Sequence, residues 1–96
     1  MRDSEILWEA AGNVRRGWCQ DKARDESGNV CLVRAIGDVI RQPLADIPLS
    51  VRLLDHLRDT LGGVSPLKFN DHPDTTKSDV LDLLVETAIR LQEQGR

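Results

Sequence analysis

The segment from about Lys77 to Gln94 constrains the fold more than any other part of the chain. Its apolar residues recur at helical spacing and cover well over half of the circumference of a helix. They are Val80, Leu81, Leu83, Leu84, Val85, Ala88, Ile89 and Leu91. A helix with so wide an apolar surface needs neighbours on more than one side, or its surplus face forms an interface. We therefore expect this helix to be central, or to bind a partner along one face.

Three shorter segments with helical periodicity precede it. They run from about Ser4 to Arg16, from about Val30 to Arg41 and from about Ser50 to Leu61. No segment has the alternation of apolar and polar residues that indicates a strand. The chain has 96 residues, which is enough for one domain only. The sequence predicts an all-α fold, in which residues 1–96 form a single compact four-helix domain.

Residues whose side chains can accept hydrogen bonds from backbone N–H groups indicate where these helices begin. The expected N-caps are Asp3 or Ser4 for the first helix, Asn29 for the second and Ser50 for the third. Proline stops a helix that precedes it, so Pro43 is expected to end the second one.

Two further signals concern the first and the last helix. Gly17 is a favourable C-terminal stop for the first helix. Thr76 and Asp79 have the spacing of a capping box before the last helix.

Between the first two helices, residues 18–29 show no helical stripe and end in turn-forming residues. An irregular loop and a short hairpin both remain open there.

Composition excludes several classes of function. Thirteen basic and sixteen acidic residues give a net charge of −3, whereas a nucleic-acid-binding domain is usually basic. The aromatic residues are only Trp8, Trp18 and Phe69, which argues against an aromatic platform that stacks on single-stranded nucleic acid. No apolar run is long enough to cross a bilayer, and acidic residues near the N-terminus argue against a signal peptide. We expect a cytoplasmic protein with reduced thiols and no nucleic-acid or membrane partner.

Two cysteines and two histidines raise the question of a zinc site. Eleven residues separate Cys19 from Cys31, and fifteen separate His56 from His72. Structural zinc sites instead take ligands in close pairs, so we predict no metal and no other cofactor. We expect instead that Cys31 is a small core residue and that His56 lies on the solvated face of the third helix.

The polar segment before the last helix has two interpretations. Phe69 can anchor it in the core while Asn70 and Asp71 turn the chain by bonding nearby backbone groups. Alternatively, Asn70, Asp71 and His72 form a polar patch around a groove. Cys19 with His72 and a neighbouring Asp or Asn has the residue types of a thiol catalyst, but nothing in the sequence sets the required geometry. We therefore predict no catalytic residues.

Three stretches resemble a family of small domains of unknown function from actinobacteria and their bacteriophages. They are Gly17–Gln20, Cys31–Ile36, and Phe69–Asp71 followed by the start of the last helix. The chain departs from that family's pattern at Arg34, where the family has Gly, and at Phe69, where it has Trp. The resemblance implies an actinobacterial or phage source. It implies no activity, cofactor or catalytic residue.

These observations favour a non-enzymatic protein–protein interaction module, for example a phage or actinobacterial protein that modulates a host protein. Its expected contacts are Trp8, which lies at the edge of the first apolar face, Trp18 and the exposed rim of the last helix. A homodimer through the last helix is a further expectation. The alternative is a small-molecule-binding or enzymatic domain. Its site would use Trp18, Cys19, Gln20, Asn70, Asp71 and His72. Phe69 is a further candidate for binding a partner or a ligand.

Overall fold

The computed structural model describes residues 1–41 and 47–96, and this part of the chain is helical. Its helices are α1 (Asp3–Arg16), α2 (Leu32–Ile40), α3 (Ile47–Thr60), α4 (Pro66–Asp71) and α5 (Lys77–Glu93). The described residues contain no strand, which confirms a helical fold. The four predicted helices correspond to α1, α2, α3 and α5. The short α4, which begins at a proline capped by Ser65, was not predicted.

The expected N-caps of the first two helices were wrong, because those side chains have other partners. Asp3 and Ser4 lie inside the first turn of α1, and Arg2 is the N-cap. Cys31, whose sulfur accepts from the Arg34 amide, caps α2 in place of Asn29. The amide and side chain of Asn29 are instead bound to the carboxylate of Asp25.

The start of α3 was also predicted too late. The helix begins at Ile47, so Ser50 lies inside it rather than at its N-cap. Pro48 lies in the first turn, where its missing N–H has no helical partner to lose. The predicted stop at Pro43 lies outside the described residues.

Two predicted helix ends are confirmed. Gly17 is the C-cap of α1. The capping box of α5 is formed in both directions: the Thr76 hydroxyl accepts from the Asp79 amide at 3.2 Å, and the Thr76 amide donates to the Asp79 carboxylate at 2.9 Å.

The core lies mainly between α1 and α5, which run antiparallel. The Ser4 amide donates to the carbonyl of Arg96 near one end of the pair, and Lys77 Nζ donates to the carbonyl of Arg15 near the other. α5 also packs against α3, and α2 packs against α1, α3 and α4. The expectation that the last helix has neighbours on more than one side is therefore confirmed. The largest fully buried apolar side chains are Leu7, Leu32, Leu53, Leu57, Leu84, Leu91, Val14 and Val80.

The segment between α1 and α2 is an irregular loop with two isolated bridges, from Val30 to Trp18 and to Arg24. It returns to α2 through a bond from the Cys31 amide to the carbonyl of Ala23 at 3.0 Å. Since neither bridge extends into a strand, the hairpin alternative is wrong and the loop alternative is confirmed.

His56 does not lie on a solvated face, as we expected, but is buried with 7% of its surface exposed. Its ring nitrogen Nε2 lies 3.2 Å from the carboxylate of Asp3, and its carbonyl accepts from Arg90. The helical wheel of α3 shows His56 as polar, but these partners from α1 and α5 cover it.

None of the helices in residues 1–41 and 47–96 has both the length and the apolar character that crossing a bilayer would require.

Candidate functional site

Asn70 is the centre of a hydrogen-bond network that joins α4 to the loop before α2. Its side chain is fully buried. Its Oδ1 accepts from the Trp18 indole at 2.7 Å and from the Leu32 amide at 3.0 Å. Its Nδ2 donates to the carbonyl of Cys19 and to the carboxylate of Asp71. A primary amide has two donor hydrogens and two acceptor lone pairs, so Asn70 makes every bond that its side chain can make.

Gln20 and Asp71 extend this network along the same edge of the fold. Gln20 Nε2 donates to the carbonyls of Asn70 and His72, at 3.0 and 2.8 Å. The carboxylate of Asp71 accepts from the Asp21 amide at 2.9 Å. We call Trp18, Cys19, Gln20, Asn70, Asp71 and His72 the Asn70 network.

Six of the eight site residues predicted from the sequence therefore come together in space. Phe69 is next to them and packs, partly buried, against the core. Trp8 does not join them: it lies on α1 and is 41% exposed. Asn70 does not turn the chain by bonding nearby backbone groups, as one interpretation expected: its backbone partners Leu32 and Cys19 are far away in sequence. The network holds α4 and the loop in place around the start of α2.

A cleft of about 730 Å³ lies beside the Asn70 network, between the loop, α2, α3 and α4. We call it the α2–α4 cleft. The network reaches it through Asp71, which is one of the residues that line it. Most of its walls are apolar, and the side chains that form them are Ala23, Cys31, Val33, Ile36, Leu54 and Leu67. Leu67 is 49% exposed, so the cleft opens to solvent along α4.

Charged side chains of both signs form the rim of this cleft. On the α2 side, the carboxylate of Asp38 accepts from Arg34 at 3.0 Å and from Arg24 at 2.5 Å. Two guanidinium groups therefore share one carboxylate. Arg41 also lines the rim there. The α2 side consequently has an excess of positive charge.

The sequence pattern did not indicate the residues that form the walls of the α2–α4 cleft. Leu54, which is partly buried, and Leu67, which is 49% exposed, line the same cleft. The signal in the sequence was Leu67, an apolar residue directly after Pro66 between the third and the last predicted helix. Leu67 can be assigned to the cleft only when the position of α4 is known.

The geometry around Cys19 is not that of an activated thiol. Its Sγ lies 3.4 Å from the carbonyls of Lys22 and Asn29, to which it can donate. Burial, and secondarily the charge of Asp25, raises the pKa of the Cys19 thiol. His72 Nδ1 accepts from the Asp74 amide rather than facing the sulfur. A thiol with a raised pKa forms less of the nucleophilic thiolate at neutral pH.

A second polar cluster joins the N-terminal turn of α1 to α3. Arg52 donates two hydrogen bonds of 2.8 Å to the carboxylate of Asp3, which His56 also contacts. These hydrogen bonds from Arg52, together with the charges of Arg52 and His56, hold the pKa of Asp3 below its ordinary value, although burial acts in the opposite direction. Arg52 and His56 are four residues apart, which places them on one face of a helix. The sequence thus showed that they are neighbours but not that Asp3 is their partner.

Within residues 1–41 and 47–96, no three His, Cys, Asp or Glu side chains are grouped in a way that could hold a metal ion. Both cysteines are free thiols: Cys31 is buried, as expected for a core residue, and Cys19 is partly buried.

Comparison with known proteins gives one family. The sequence model of the family described as Family of unknown function (DUF6197) matches residues 1–90. The match supports the resemblance to an uncharacterised domain family. No curated protein and no solved structure matches the chain.

Proposed function

Since the chain belongs to the DUF6197 family, whose function is unknown, we propose a function from its geometry: it is a non-enzymatic module that binds a protein partner in the α2–α4 cleft. The observation that carries the proposal is an open, mainly apolar cleft whose walls are braced by the Asn70 network. Apolar side chains inserted into such grooves supply most of the binding energy in many protein interfaces.

The polar groups beside the cleft support a protein partner rather than a substrate. Sites for small substrates usually present several convergent polar groups that fix the orientation of the ligand. Here Asn70 makes all its hydrogen bonds within the chain, and Asp38 is bound by two arginines. The surface left for a ligand is therefore mainly apolar.

The charge on the α2 side indicates the chemistry of the partner. Arg24 and Arg34 share Asp38, and the Arg41 guanidinium makes no hydrogen bond or ion pair with the described residues, although the Arg41 amide caps α2 through the carbonyl of Gly37. Complementary charge favours and orients association. We infer a partner segment with two or more apolar side chains and an acidic residue next to them.

The setting of this interaction is also part of the proposal. Ten of the thirteen basic residues are Arg and eleven of the sixteen acidic ones are Asp, a bias that accompanies genomes rich in G and C. We propose an actinobacterial or phage protein that acts in the cytoplasm and modulates a host protein.

The test compares substitutions at two positions whose side chains are equally exposed. Leu67 lines the cleft and Val64 does not, and both are 49% exposed. Tagged wild-type protein, Leu67→Arg and Val64→Arg are used to capture partners from a lysate of the source organism. The captured protein is crosslinked through lysines and analysed by mass spectrometry.

We expect one stoichiometric partner that Val64→Arg retains and Leu67→Arg loses, with crosslinks to Lys22 at the cleft rim. Capture that is equal for the two variants, or crosslinks only to distant lysines, would contradict the proposal.

A small-molecule site is the second candidate, because the cleft volume of about 730 Å³ lies in the range of known ligand pockets. Screening by ligand-observed NMR distinguishes the two functions. A small molecule that binds the wild type and Val64→Arg, but not Leu67→Arg, would favour this candidate.

A further inference from the structure

Four residues form a stripe along the outer face of α1: Glu5, Trp8, Gly12 and Arg15. Their spacing of three, four and three residues keeps them on one side of a helix, as in the seam of a coiled coil. Glu5, Trp8 and Arg15 are exposed and Gly12 is partly exposed. We call these residues the α1 stripe.

The α1 stripe is complementary to itself when two copies are antiparallel. Trp8 and Gly12 are equally far from position 10, and so are Glu5 and Arg15. A two-fold axis level with that position therefore places each Trp8 opposite Gly12 of the other copy. It also places each Glu5 opposite Arg15 of the other copy. The largest side chain meets the smallest residue, and each acid meets a base.

The surroundings of the stripe leave it open for such a contact. A Cβ atom added at Gly12 would meet only the end of the Arg16 side chain, at 3.7 Å, so there is room above this residue. The Arg15 guanidinium has no hydrogen bond or ion pair with any described residue. One oxygen of Glu5 accepts from the Arg2 amide at 2.9 Å, and the other is available.

The neighbouring helix extends the apolar surface. α5 lies beside α1, and its Thr87 faces α3 through a bond of 2.8 Å to Thr60. At 3.6 residues per turn, Val85 and Ile89 lie on the side roughly opposite Thr87. Ile89 is 43% exposed, and Val85 is partly buried against the core. The wide apolar circumference of α5 thus continues outward past its contacts with α3.

We propose that a second copy of this chain binds here, with α1 packed antiparallel on α1 of the other copy and α5 at the flank. Acidic residues at a helix N-terminus and basic ones at its C-terminus also favour an isolated helix. The charges of Glu5 and Arg15 therefore do not by themselves indicate a dimer. The fit of Trp8 against Gly12 is the feature that an isolated helix would not need. The α2–α4 cleft shares no residue with the α1 stripe, so the two proposals can fail separately.

The first experiment measures the dimer by sedimentation equilibrium of the whole chain. Trp8→Ala is expected to raise the dimer dissociation constant at least about thirtyfold, as for a central aromatic anchor. Gly12→Gln fills the space for Trp8 of the other copy. It should give a folded monomer. At a protein concentration at which the wild type is also monomeric, its melting temperature should be at least that of the wild type, because Gln favours a helix more than Gly. Val64→Ala is the control and should leave the dimer unchanged.

The second experiment uses charge reversal. Glu5→Arg and Arg15→Glu should each be monomeric, because like charges then face each other across the axis. An equimolar mixture of the two should dimerise again, since each acid then faces a base. If the charge reversals only destabilised α1 within each chain, mixing the two variants would not restore the dimer. A wild type that stays monomeric at millimolar concentration, a dimer that Gly12→Gln leaves intact, or a mixture that stays monomeric would overturn the proposal.

Discussion

Buried polar side chains bind segments of this protein that are far apart in sequence. Asn70 bonds three residues from the loop and the start of α2, Asp3 joins α1 to α3, and Thr87 joins α5 to α3. A buried polar group stabilises a fold only when it is hydrogen-bonded, and each bond that is lost leaves a partner unsatisfied. In a chain with so small a core, these few residues contribute a large share of the stability.

Asn70→Ala is expected to reduce the free energy of unfolding by about 2–4 kcal/mol. It leaves the Trp18 indole and the Leu32 amide without an acceptor, and such orphaned groups cost about 1–3 kcal/mol each. Urea unfolding followed by circular dichroism measures the change. Lys68→Ala, an exposed substitution on the same helix, is the control and should change the stability by less than about 0.5 kcal/mol. A similar result for both variants would show that the network does not stabilise the fold.

Asp3 should make the free energy of unfolding depend on pH below about pH 4. Its pKa is lowered in the folded chain, so its contribution is complete above the ordinary carboxyl value of about 4 and is lost as the pH falls through the lower folded value. The Arg52 guanidinium and the His56 ring face it, and Arg96 lies 3.2 Å from the His56 ring.

Asp3→Asn removes this titration and is the variant to compare. The wild type should be more stable than Asp3→Asn by about 1.5–3 kcal/mol above pH 5, as expected for hydrogen bonds to a charged group. The difference should shrink as the pH falls from 4 towards 2. Thermal unfolding between pH 2 and 7 measures it, and a difference that does not vary with pH would contradict the assignment.

The helices differ in how much of their stability is local. α5 starts with a complete capping box and has seventeen residues. α4 has six residues and is held by Ser65 at its N-terminus and by the bonds of Asn70. Short helices are marginal in water without tertiary contacts. This explains why α5 could be predicted from the sequence with its start, whereas α4 could not.

Thr76→Ala tests the local contribution to α5. The variant loses the hydroxyl that accepts from the Asp79 amide, and the loss of such a cap costs about 1 kcal/mol. Chemical denaturation measures the difference. Ser78→Ala, an exposed change within the first turn of the same helix, is the control and should be neutral or slightly stabilising. Equal effects of the two changes would mean that the cap contributes nothing.

At the scale of the whole molecule, α1 and α5 form the base on which the other helices pack. Their antiparallel pairing supplies most of the fully buried apolar side chains, and α2, α3 and α4 enclose the rest of the core. The two surfaces with proposed functions lie on different parts of this arrangement. The α1 stripe is on the outside of the α1–α5 pair, and the α2–α4 cleft is where the shorter helices meet.

Leu84→Ala tests the central position of α5. Leu84 is fully buried, and the truncation of such a leucine costs about 2–5 kcal/mol through lost burial and the cavity it leaves. Val64→Ala removes a 49% exposed side chain and should cost less than about 0.5 kcal/mol. Calorimetric melting of both variants measures the contrast, and a small effect at Leu84 would place the core elsewhere.

The sequence by itself determined the helical class, the approximate extent of four helices, and two of their ends at Gly17 and Thr76. These features depend on apolar spacing and on bonds between residues a few positions apart, so they can be seen in a linear pattern. Only the tertiary structure decided that His56 is buried, that Asn29 and Ser50 are not caps, and that Asn70 meets Trp18. The burial of His56 and the contact of Asn70 depend on partners far away in sequence, whose distance in space no local pattern contains, whereas Asn29 is bound to the nearby Asp25 and Ser50 lies inside a helix that begins earlier than predicted. The α2–α4 cleft exists for the same reason, because its walls come from four segments that approach one another only after the chain has folded.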